Sequence, residues 1–146
     1  MRLALAILVA LTQVIPVANA HGYRVGSLEI VHPAIMVPGP QSDCSCAHVK
    51  FINHGTRSEY FLGATISASS RTHLLHISQH GDGFAMPQRV EIPPGQTLDL
   101  HRHEWCLFMS GITQELQADM GAVSGRLRFE GLGEIAVEFM IDATGH

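Results

Sequence analysis

Turn signals punctuate this chain at short intervals, and that spacing limits the folds open to it. Pro38-Gly39-Pro40, Asn53-His54-Gly55, His80-Gly81-Asp82-Gly83, Pro93-Pro94-Gly95 and Gly131-Leu132-Gly133 each mark a place where the backbone must reverse. The segments between them are short and rich in β-branched and aromatic residues, which suit a pleated, half-buried surface. Strands are expected over 23–30, 46–52, 61–67, 72–78, 88–92, 97–100, 105–109, 125–129 and 133–140. The clearest is 46–52. There Cys46, His48, Lys50 and Ile52 point one way, and Ala47, Val49 and Phe51 the other. The only helical hint is Thr113 to Met120, whose apolar residues do not recur at helical spacing and which Gly121 follows. Many short strands joined by Gly and Pro turns predict an all-β fold, a cupredoxin-like or immunoglobulin-like β-sandwich.

The first residues read differently. Arg2 is followed by LALAILVALTQVIPVA, almost wholly apolar, and Ala18-Asn19-Ala20 matches a small-residue cleavage site. That pattern predicts a secretory signal peptide over 1–20 and a single domain over 21–146. Gln13 and Pro16 interrupt the apolar run, which is short for a bilayer-spanning helix. No stable membrane insertion is therefore expected after cleavage, and the domain is expected in the periplasm or secreted. Without Arg2 the chain keeps 8 basic residues against 13 acidic ones, a formal charge of −5. A surface of that balance, with no basic patch, does not attract nucleic acid.

All 10 His and all 3 Cys fall after residue 20. In Cys44-Ser45-Cys46 the sulfurs share one face of a strand, and two thiolates suit Cu(I) above all, and also Zn(II). The rival reading is a disulfide, common in exported proteins. A bond within the CxC is awkward on an extended strand, whereas either cysteine can pair with Cys106. Buried, inert thiols are the third alternative. His76 ends one expected strand, and Met86 follows the loop after it. Imidazole and thioether converging from two sides of a hairpin favour copper, although Met86 before Pro87 also suits a packed turn residue. His73 and His80 lie nearby. His101 and His103 can chelate from one face of a strand or lie on a solvated edge. Cleavage after Ala20 would make His21 the N-terminus, whose amine and imidazole can chelate Cu(II). No GxSxG, HExxH or Gly-rich phosphate loop is present, so no catalytic set is expected.

VGSLEIVHP at 25–33, AHVKFIN at 47–53, Phe61-Leu62-Gly63-Ala64, the strand ending at His76, the Pro-Pro-Gly corner at 93–95 and the apolar strand running to Gly111 occur in an order that resembles the periplasmic copper chaperone family PCu(A)C. The resemblance runs from about Tyr23 to Ile141. It implies a cupredoxin-like sandwich and a Cu(I) site built from a His, a Met one loop further on, and a later His-x-Met. His76 matches the first His, and Met86 matches the Met with a small slip. Cys106 stands where the family has its second His, and Phe108 where it has its last Met. The ligand set implied for this divergent member is His76, Met86 and Cys106, with Cys44 and Cys46 as further sulfur. The implied partner is a copper-receiving or copper-donating protein, such as an oxidase copper centre. Two other readings stand beside it: a protein-binding sandwich stabilised by a disulfide, and a Cu(II) or Zn(II) site built on His21, His101 and His103.

Overall fold

The computed structural model describes residues 22–101 and 104–143. The expected signal peptide, His21 and His103 lie outside the described residues. Among the described residues eleven strands follow one another: β1 (Gly22–Val25), β2 (Leu28–Met36), β3 (Cys44–Asn53), β4 (Glu59–Ile66), β5 (Ser69–Ile77), β6 (Phe84–Ala85), β7 (Val90–Ile92), β8 (Thr97–Asp99), β9 (Trp105–Ile112), β10 (Ala122–Glu130) and β11 (Gly133–Asp142). Of the helical hint at 113–120 only a 3₁₀ turn forms, Ala118–Met120. The fold is all-β. No helix among the described residues is long and apolar enough to cross a membrane.

The strands form one continuous curled sheet in the order β6-β5-β9-β3-β2-β11-β10-β4-β7, with β1 added to β2 and β8 to β3. It closes over a single core as the two layers of a sandwich. The expected strand 23–30 is split into β1 and β2 by a turn in which Gly26 takes φ 57°, a left-handed conformation that glycine adopts without strain. The register of β2 against β3 shifts between Val31 and Ala34. Pro33, which cannot donate to a ladder, sits in this irregularity behind His32 at φ 47°. Beyond it β2 pairs in parallel with β11.

The alternation read in β3 is realised. Ala47, Val49 and Phe51 are buried, while Cys46, His48, Lys50 and Ile52 are only partly so. Phe51, Phe61 and Phe129 meet ring to ring at the core, with centroids 4.7, 5.2 and 5.3 Å apart. Pro93-Pro94-Gly95 forms the expected corner. Gly95 takes φ 71°, as the third residue of a type II turn must, and Gln96 N donates to Pro93 O at 3.0 Å. Asn53, the buried polar residue at the end of β3, ties this corner to its neighbours. Its Nδ2 donates to Ile92 O and Arg57 O, and its Oδ1 accepts from Gly55 N.

Candidate metal centre

β9 is the strand on which the candidate residues depend, because it lies between β3 and β5. Its register places Cys46 opposite Phe108, Leu75 opposite Cys106 and Trp105 opposite His76. Residues two apart on a strand share a face, so Cys106 lies diagonally across from Cys46. The two sulfurs are bonded, with Cα atoms 5.5 Å apart and 60 residues of sequence between them. The disulfide alternative is therefore the one realised. In this state neither Cys46 nor Cys106 presents a thiolate, so ligation by either sulfur as expected from the sequence requires reduction first. Cys44 keeps a free thiol, half-buried, with Sγ 3.4 Å from Ser42 Oγ.

His76 is the penultimate residue of β5 and is half-buried. Its ring lies against Trp105 with centroids 4.4 Å apart and planes tilted by 39°. Beyond the ring is an open hollow lined by His80, Asp82, Phe84 and Glu104. Ile77 N donates to Glu104 O at 2.6 Å, and Gln79 Nε2 donates to Glu104 Oε1, so the β5–β6 hairpin is anchored at its base to the start of β9.

Met86 is brought near His76 in sequence but not onto its face. The short β5–β6 ladder pairs His76 with Ala85 and Ile77 with Phe84. Met86 comes one residue after the position that faces His76. Half exposed, it lines a separate hollow with His73, Thr72 and Arg128. A one-residue offset is enough to do this, because side chains alternate between faces.

A second pair of imidazoles, not joined in the sequence reading, meets two strands away. His48 on β3 and His101 just after β8 lie edge to face, with ring centroids 4.7 Å apart and planes at 72°. Leu100 is fully buried and its N–H donates to Val49 O at 3.0 Å, which pins the turn carrying His101 onto β3. His48 Nδ1 lies 3.0 Å from Leu100 O. A carbonyl only accepts, so Nδ1 carries the proton and Nε2 the lone pair. Burial lowers the pKa of His48, with the Leu100 hydrogen bond and the Asp142 and Asp99 carboxylates opposing and His101 adding to the fall. His54, at the turn after β3, is instead engaged by Glu29 at 2.6 Å. Among the described residues no three His, Cys, Asp or Glu side chains are gathered in a group able to hold a metal ion.

No family model matches the sequence, and no curated protein matches it. Solved structures do. The copper-bound PCuAC domain from PmoF2 superposes with a TM-score of 0.72 at 20% identity, covering 84% of this chain and 98% of that one. The apo PCuAC domain from PmoF1 gives 0.74 at 21% identity, covering 84% and 99%. The Cu(I) form of DR1885 from Deinococcus radiodurans gives 0.65 at 16% identity, covering 77% and 76%. The chain has the cupredoxin-like β-sandwich fold of PCuAC domains.

Proposed function

We propose that this is a copper-handling protein of the periplasm or extracellular space, built of one domain after removal of residues 1–20, which binds Cu(I) and passes it to a copper-receiving partner. The observation that carries this reading is the β5–β6 hairpin on a PCuAC-type sandwich, with His76 held against Trp105 at its base and Met86 just beyond its second strand. Imidazole and thioether are a Cu(I) pair, and neither needs a reducing environment to ligate. The role is binding and delivery rather than turnover.

Met86 faces away from His76, so joint ligation by the two requires the hairpin to adjust. Every residue from Gln79 to Met86 is exposed, and β6 is two residues long. A register specified by so short an edge ladder is weakly held. Cys46 and Cys106 become candidate ligands only on reduction, and Cys44, opposite Ser110, lies five residues along β9 from the position opposite His76 and is not brought to the hairpin. Copper X-ray absorption on the Cu(I)-loaded, disulfide-intact protein tests the reading. A shell containing both imidazole nitrogen and sulfur, losing its sulfur in Met86→Ala, supports it. A shell of nitrogen alone contradicts it.

The bridge between Cys46 and Cys106 favours one other reading, a disulfide-stabilised sandwich that binds protein without metal. On that reading the loaded sample would hold no copper after desalting.

A further inference from the structure

We propose that His48 and His101 form a second metal site, separate from the His76 hairpin, for a borderline divalent cation of the Cu(II) or Zn(II) class. Three observations converge on this pair.

First, the lone pair is already presented. His48 donates from Nδ1 to the Leu100 carbonyl at 3.0 Å, which in the neutral ring leaves the Nε2 lone pair available. Ligating histidines characteristically give their other ring N–H to a carbonyl or carboxylate, which fixes both tautomer and ring orientation.

Second, the spacing fits. A metal–nitrogen bond of about 2 Å places two imidazole rings, bound side by side on one ion, with centroids about 4.5–5 Å apart. His48 and His101 are at 4.7 Å with planes at 72°. One ring is seated on a strand and half-buried; the other is exposed on a turn whose backbone N–H is held by Asp99 Oδ1 at 2.9 Å. The exposed ring can make the final adjustment, and water can complete the coordination.

Third, the surroundings suit a cation. Asp99, whose Oδ1 accepts from His101 N at 2.9 Å, places a carboxylate at the base of the turn that carries His101. Among the described residues Lys50 opposes it, 3.8 Å from Asp99 in an ion pair. Cys46, two residues from His48 on the same face, is held in the disulfide and takes no part. The preference for a divalent ion follows from the donors, since imidazole and water without thiolate or thioether suit Cu(II) and Zn(II) better than Cu(I).

Residue-resolved NMR of the disulfide-intact protein with substoichiometric Cu(II) tests the site. The ring protons of His48 and His101 should broaden together at well under one equivalent. In His101→Ala, an exposed substitution that leaves β3 untouched, broadening at His48 should need roughly tenfold more Cu(II). In a His76→Ala, Met86→Ala double variant it should be unchanged, which keeps this site distinguishable from the hairpin. The proposal is overturned if the His48 ring stays sharp up to a full equivalent, or if it broadens as readily in His101→Ala as in the wild type.

Discussion

Cys46 and Cys106 are bonded across two strands, β3 and β9, that are already hydrogen-bonded neighbours. The bond does not create the pairing. It fixes the strand that carries Trp105 to the strand that carries His48, and so holds the two candidate sites on one rigid wall.

Reducing this bond, or replacing Cys46 by Ser, is expected to lower stability by about 4 kcal/mol, the chain-entropy value for a loop of this length. Cys46 is the better position to change, because Cys106 is 3% exposed and a hydroxyl there would be buried. Urea unfolding with and without reductant measures the effect, and an unchanged midpoint contradicts it.

The native protein should contain one free thiol, at Cys44. Alkylation without reductant, followed by mass analysis, should add one label, and Cys44→Ser should add none. Labelling at Cys46 or Cys106 in the native wild type would contradict the pairing.

The pKa of His48 is lowered below 6.5 chiefly by burial. The unfolded chain therefore binds a proton at higher pH than the folded one. Stability is full above about pH 6.5 and falls as the pH drops from there to the lowered folded pKa. His48→Gln should flatten that part of the profile. Urea midpoints at pH 7.5 and 5.5 for both proteins provide the check; an equal loss in each would rule out His48 as the cause.

Asn53→Ala should cost about 2 kcal/mol, because it strips the Ile92 carbonyl of a buried donor and unties the turn at Gly55. Thermal unfolding measures it. A loss of only a few tenths of a kcal/mol would show that Asn53 does not hold the corner.

What the sequence made legible was local. The two-residue alternation of β3 and the Pro93-Pro94-Gly95 corner follow from neighbouring residues, and both appear as read. The break at Gly26 was also local but was missed, since the flanking residues look like one continuous strand. The candidate site was harder because its geometry is not local. Whether Met86 faces His76 is decided by the β5–β6 register, which loop length sets, and one residue of offset reverses the answer. The partner of Cys106 stayed open between Cys44 and Cys46 because the choice depends on how β3 and β9 align. His48 and His101 meet only because Leu100 docks on Val49, a contact between residues far apart in the chain. The excess of histidine hinted at such a pair without saying which rings would meet.

The most direct test of the copper reading is an anaerobic competition titration with a Cu(I) chelator on protein whose Cys46–Cys106 bond has been verified by mass. One equivalent of Cu(I) should be withheld from the chelator by the wild type. The His76→Ala, Met86→Ala double variant should lose at least about tenfold in affinity, the minimum expected when one ligand interaction is removed. Equal affinity in the two proteins, or no Cu(I) retained by the wild type, would contradict the assignment of the β5–β6 hairpin as the copper site.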